Sequence, residues 1–440
     1  DSMSHARTTR RVLAAVASVG AVLVTAACSS STTPQASGSA GGVNWDERGP
    51  ITYAQGKDTA GVWAGVLKTW NDAHPNEQVT LIELSPQADQ QRADMIKRGQ
   101  AKSGEFSVMS VDVVWTAEFA ANGWLQELPS DKFPTTGMLA SAVDAASYFG
   151  KLYAYPQSSD GALLYYRKDL LDKANLQPPK TWDEMQQVCD KVLPDQKGMS
   201  CYGGQFQKYE GLTCNVAEAV NSAGGQFITD DGKPAVNTAE AISGLQWLVD
   251  GFKSGMIPKE AITWQEEESR QAFQDGKILF LRNWPYVYNL ASKTDGSSKV
   301  AGKFGVAPIP GKTGPGVSTL GGHNIGISSF TKNKGTAGDF IKWIASEDQQ
   351  KTFLQKGSLA PILESMYGDA ELQKQFGYLS TLGESIKNAK ARPKAVRYGD
   401  VTAAIQDATY SALQTAVGNG STTPEQAFND LQTKLTDLLK

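Results

Sequence analysis

The chain has 440 residues, 40% of them hydrophobic and 20% charged, and a formal net charge of −4. That balance is typical of globular proteins, and the mild acidity argues against nucleic acid as a partner. Three histidines and four cysteines in no zinc-ligand spacing argue against a metal centre, and no GxGxxG or P-loop motif implies a cofactor.

The N-terminus carries its own signal. Arg7, Arg10 and Arg11 precede an Ala/Val-rich apolar run, Val12 to Val24, too short to span a bilayer. A signal peptide over 1–27 is expected, and Arg10-Arg11 is compatible with either a general or a twin-arginine export route. Val24-Thr25-Ala26-Ala27-Cys28, followed by Ser29 to Ser31, resembles the lipobox of bacterial lipoproteins, whose cysteine is acylated. Thr25 stands where such boxes usually carry Leu; the plainer alternative is a cleaved signal with an incidental cysteine. Residues 29–42 are Ser, Thr, Gly, Ala, Pro and Gln with no large apolar side chain, so 28–45 reads as a lipidated flexible tether. Without residues 1–27 the charge moves from −4 to −6.

Beyond the tether, Ile51 to Ala54 and Val79 to Ile82 predict strands. Between them Val62, Val66, Leu67 and Trp70 recur at helical spacing. Gln87 to Arg98 predicts a helix, Phe106 to Val114 a strand, and Trp115 to Ala121 a further helix. The alternation continues with a strand at Leu163 to Arg167, a helix beginning at Thr181-Trp182-Asp183-Glu184 and a strand at Ile278 to Leu281. The last hundred residues are mostly helical in pattern, with Thr423-Pro424-Glu425-Gln426 as a capped start. This predicts an α/β protein, and its length favours two lobes. In an oxidising compartment a disulfide Cys189–Cys201 would close a short loop, leaving Cys214 as a buried thiol.

Several strings resemble one family, the extracellular sugar-binding proteins of ABC importers. They are Gly150-Lys151-Leu152-Tyr153-Ala154-Tyr155-Pro156, Leu163 to Leu171, Pro178-Pro179-Lys180-Thr181-Trp182-Asp183-Glu184, Phe273-Gln274-Asp275-Gly276-Lys277, Asn283-Trp284-Pro285-Tyr286 and Gly321 to Ser328. Asp112 to Phe119, Gly123-Trp124-Leu125, Tyr209-Glu210-Gly211-Leu212 and Ala391-Arg392-Pro393 resemble its trehalose/maltose branch, which has mycobacterial lipoprotein and archaeal members. The resemblance implies a maltose-binding-protein-like, two-lobed periplasmic-binding fold with the ligand in the interlobe cleft. Crossings are expected near residues 155, 308 and 350, giving lobe I as 46–155 plus 309–350 and lobe II as 156–308 plus 351–440. It also implies a monomer, held at the membrane by the lipid on Cys28, that delivers a disaccharide to ABC permease subunits. Trehalose is the first expectation, maltose or a related α-glucoside the next.

A disaccharide presents hydroxyls that need directional partners and weakly apolar ring faces, so a site for it combines carboxylates, amides, Arg and aromatic plates. Asp112 ends an apolar run, where an open α/β sheet places ligand groups, although a helix cap explains it equally. Asp160 follows a Ser-rich turn at a position where the family carries Asp or Asn on a sugar hydroxyl. The family also places its stacking Trp at Trp284; Tyr286 lies two residues on and reads equally as packing. Glu266 stands in an acidic run and is singled out only by its alignment with Trp284. Gly322 would let a backbone N–H approach the sugar. His323 and Ser158 stand where archaeal relatives carry Trp and Tyr. Arg392 lies in a basic stretch whose plain reading is solvated charge, and the Arg-Pro pair picks it out. Asp58, in the first strand-to-helix turn, completes the set. The alternative class is a secreted glycoside hydrolase using Asp112, Asp160 or Glu266, but no pair flanking one glycosidic bond stands out.

Overall fold

The computed structural model describes residues 42–440. The leader, Cys28 and most of the tether lie outside the described residues. Trp45, assigned above to the end of the tether, already belongs to the body: its ring meets Phe133 edge-on at 5.2 Å.

Two sheets divide the body. The first joins β1 (Ile51–Gly56), β2 (Val79–Leu84), β3 (Val108–Asp112), β6 (Tyr155–Asp160) and β11 (Gly321–Ile327) in the order β2-β1-β3-β11-β6; a short hairpin, β4 (Ser147–Tyr148) and β5 (Lys151–Leu152), stands apart. The second joins β7 (Leu163–Arg167), β8 (Ser200–Gly203), β9 (Ile278–Asn283) and β10 (Phe304–Ala307) in the order β10-β7-β9-β8. β1 pairs in parallel with β2 and β3, as strand–helix–strand units require, whereas β11 runs antiparallel between β3 and β6. Alternation along each strand feeds two cores. Tyr53 and Val108 join one side of the first sheet, with Trp63, Trp70, Phe340 and Ile341. Their neighbours Ala54 and Met109 join the other, with Trp115, Phe119 and Tyr398. The second sheet is covered on both faces, so β9 is buried at every residue.

The chain passes between the sheets at places that differ from expectation. β6 pairs with β11 throughout 155–160, so the first crossing falls after Asp160 rather than near residue 155. Residues 309–319 remain on the second lobe, where Trp182 Nε1 donates to Pro310 O and Thr319 Oγ1 donates to Cys214 O. The second crossing therefore comes at about residue 320 instead of 308. The third is a helix instead of a point. In Glu347–Gly357, Phe353 enters the first lobe's core and Leu354 the second's. Ile362 still packs in the first lobe. Cys189, on the Trp182–Val192 helix, is bonded to Cys201 on β8, with the Cα atoms 5.6 Å apart, and Cys214 is a buried free thiol. No helix among the described residues is long and apolar enough to cross a membrane, and no cluster of three metal-ligating side chains occurs among them.

Candidate ligand-binding cleft

A cavity of about 300 Å³ opens between the sheets. Strand ends and helix starts line it, as expected where parallel strands stop and leave backbone and side-chain groups unclaimed. All nine residues singled out in the sequence border it: Asp58, Asp112, Asp160, Gly322 and His323 from the first lobe, and Glu266, Trp284, Tyr286 and Arg392 opposite. Their local roles divide.

Asp112, the last residue of β3, takes Arg392 as a fork, Nη2 to Oδ1 at 2.9 Å and Nη1 to Oδ2 at 3.4 Å, and also accepts the Val114 N–H at 3.3 Å. The cap and ligand readings coexist in one carboxylate. Arg392 is only 4% exposed, which removes the solvated-charge reading. Its Nη1 also donates to Glu210 Oε1 at 2.8 Å, and Nη2 reaches Leu320 O at 3.5 Å. The fork expected to face a sugar is thus occupied in tying the lobes together. Nε alone remains, buried and without a partner.

Asp160 ends β6, and its carboxylate makes no hydrogen bond or ion pair among the described residues. Burial, with the Asp112 charge adding, pushes its pKa up to about 7. Glu266 opens the Glu266–Gln274 helix, accepts the Tyr209 hydroxyl at 2.7 Å, and is raised by burial. Trp284 follows β9, half-buried, with Tyr165 Oη donating to its carbonyl at 2.7 Å. Tyr286 donates its hydroxyl to Glu267 Oε2 at 2.8 Å, which favours the packing reading for the phenol end. The His323 imidazole is lowered by burial, so it is held neutral, and its backbone N–H donates to Ser158 Oγ at 3.1 Å.

Two residues of the set also have local structural roles. Asp58 is engaged locally: its carboxylate accepts the backbone N–H groups of Gly61, Val62 and Trp63 at 2.8–3.3 Å, ordering the start of the Trp63–Ala73 helix. Gly322 has φ +111°, and a Cβ there would lie 2.3 Å from Ser158 O. Glycine is demanded by the neighbouring strand, whatever occupies the cleft.

Other wall groups were missed. Glu210, at the start of the Glu210–Ser222 helix, accepts Arg392, the Tyr398 hydroxyl and Thr402 Oγ1, the last at 2.7 Å. It stood in a quoted string, but nothing in its spacing marked it. Gln55 carries the last side chain of β1 before Gly56, close to the strand end as Asp112 is in β3, so a strand-end rule extended by one residue would have found it. A buried polar chain runs behind them: Tyr53 Oη donates to Gln55 Oε1 at 2.9 Å and accepts from Gln157 Nε2 at 2.7 Å, and Ser110 Oγ donates to Gln157 Oε1 at 2.9 Å.

Two α/β lobes enclosing a cavity lined by carboxylates, amides and aromatic rings define a protein that grips a small solute between its halves. The chain belongs to the bacterial extracellular solute-binding protein family, whose sequence profile matches residues 66–378. That membership places its work outside the cytoplasm. It is 33% identical over 370 residues to a probable ABC transporter-binding protein of Deinococcus radiodurans, covering 81% of this chain and 85% of that one. It is 26% identical to a maltotriose-binding protein of Pyrococcus abyssi, over 68% of this chain and 64% of that one. Among solved structures, maltose-bound T. maritima MalE3 matches with a TM-score of 0.83 and 30% identity, covering 89% of this chain and all of that one. The fold is the two-lobed, maltose-binding-protein-like arrangement.

Proposed function

We propose that this chain captures an α-linked gluco-disaccharide, trehalose first and maltose next, and hands it to an ABC importer while tethered to the membrane through Cys28. The observation that carries the reading is the composition of the cleft between the sheets. Asp160 offers an unpartnered carboxylate, Glu266 a second one with an open oxygen, Trp284 an indole, and Arg392 an unsatisfied buried Nε–H. Hydroxyls are both donors and acceptors, so one sugar can satisfy all of these at once, while its C–H face covers the indole. The volume sits at the lower end of the roughly 300–1,000 Å³ typical of ligand pockets, which suits a disaccharide. The maltose and maltotriose named for the T. maritima and Pyrococcus proteins support a glucoside. Carboxylates bound by Arg392 and Tyr209 are poorly placed to serve as a hydrolytic pair.

Isothermal titration against trehalose, maltose, sucrose and kojibiose, with an assay for released glucose, tests this. Binding of one α-glucoside without glucose release is expected, and Trp284→Ala should weaken it by about tenfold or more, the worth of a stacked ring of 1–3 kcal/mol. Failure of all four sugars to bind, or release of glucose, would overturn it. For the anchor, Cys28→Ser should move the protein from the membrane fraction into the medium with its sugar affinity unchanged; retention in the membrane argues against the lipid.

A further inference from the structure

Behind the cleft wall lies a buried polar cluster that sugar capture does not by itself require. Arg282, on β9, is 1% exposed and does not line the cavity. Its Nε and Nη2 donate to the two oxygens of Glu218 at 2.7 and 3.0 Å, and Nη1 donates to Gln205 Oε1 at 2.8 Å. Gln205 is itself held, its Nε2 donating to Ser269 Oγ at 2.9 Å. A buried ion pair is weak evidence of stabilisation, because apolar residues of similar volume often serve the fold as well or better. This pair therefore calls for another account.

The Arg282 guanidinium carbon sits 4.2 Å from the centroid of the Trp284 ring. A guanidinium is planar and stacks on an aromatic face, which an ammonium cannot do. The far edge of the same indole is seated against Gly321 across the lobe boundary, where a Cβ would lie 2.8 Å from Cη2 and Cζ3. One face of Trp284 is thus held by a group outside the cavity lining, and one edge by a glycine at the cavity wall.

We propose that Arg282 is a positioning residue for the sugar platform: locked by Glu218 and Gln205, its guanidinium backs one face of Trp284 and holds the indole at the angle at which the opposite face meets a sugar ring. The proposal rests on the sugar-binding reading above. It explains why a costly buried charge lies against the half-buried indole of the cleft, since a preorganised ring loses less freedom on binding.

A double-mutant cycle separates positioning from general structural support. Arg282→Lys keeps the charge beside Glu218 and removes the plane. It should weaken trehalose or maltose binding about threefold to tenfold, while in a Trp284→Ala background the same change should alter affinity less than about 1.5-fold. Wild-type affinity in Arg282→Lys, or an equal loss in both backgrounds, would overturn the proposal. If the lysine variant does not fold, Arg282→Met combined with Glu218→Gln carries the same cycle. A second readout needs no sugar. The near-UV circular dichroism lost between wild type and Trp284→Phe reports the ordered indole, and Arg282→Lys should lose the same component. Should the wild type bind neither sugar, the sugar-binding reading falls while this spectrum still decides whether Arg282 orders Trp284; an unchanged indole component refutes it.

Discussion

Asp160 is the residue on which the cleft's electrostatics turn. Its carboxyl is raised from an ordinary 3.8 to about 7, chiefly by burial. Between those values the folded chain holds a proton that the unfolded chain has released, so stability falls as pH rises through this window, and the penalty is complete above about pH 7. Asp160→Asn cannot ionise. Its melting temperature without ligand should therefore exceed wild type by a clearly larger margin at pH 8 than at pH 5, by thermal scans at both values. An equal shift at both would show that ionisation is not the cause. Strand-end position located Asp112, and the family strings located Asp160, Glu266 and Trp284 on the cavity. Arg392 was located but its task was not: a lone Arg-Pro pair cannot reveal that Asp112 and Glu210, 280 and 182 residues away, converge on it. Glu210 was missed for the same reason, since its significance exists only once the chain has folded.

At the level of elements, patterns with strong local physics were readable. Leu163 to Arg167 is β7 as predicted, and Thr181 and Thr423 cap their helices through side-chain oxygens, the latter in a reciprocal capping box. β6 was not readable. Its sequence Tyr-Pro-Gln-Ser-Ser-Asp has a proline and no β-branched residue, and looks like a loop. It is tolerated because it forms the edge of the first sheet, where Pro156 opposes Asn324. The segment 309–319 is likewise silent about its lobe, because turn-formers say nothing of what they pack on. The Cys189–Cys201 bond staples a helix to a strand across a separation of 12 residues. Loop-closure entropy assigns such a staple about 3 kcal/mol. Reduction should lower the urea midpoint accordingly, with the secondary structure at low urea unchanged; coincident curves for oxidised and reduced protein would show the bond is dispensable.

Across the whole molecule, specific contacts hold the lobes together. Asp89, in the first turn of the Ala88–Gln100 helix of the first lobe, accepts the backbone N–H of Glu210 on the second at 2.7 Å. Gln406 Nε2 reaches its other oxygen at 3.4 Å. Asp89→Ala removes this clasp, so the ligand-free chain should show a larger radius of gyration by X-ray scattering and a weaker sugar affinity, with saturating sugar restoring compactness. Superimposable scattering curves for mutant and wild type would place the control of opening elsewhere. The helix Glu347–Gly357 imposes a different kind of bond between the halves. With Phe353 anchored on one side and Leu354 on the other, neither core can come apart without unseating its neighbour's residue. The two lobes are therefore one thermodynamic unit despite their separate sheets. Heat should melt them in a single endotherm, and a solute that touches both halves protects residues far from itself.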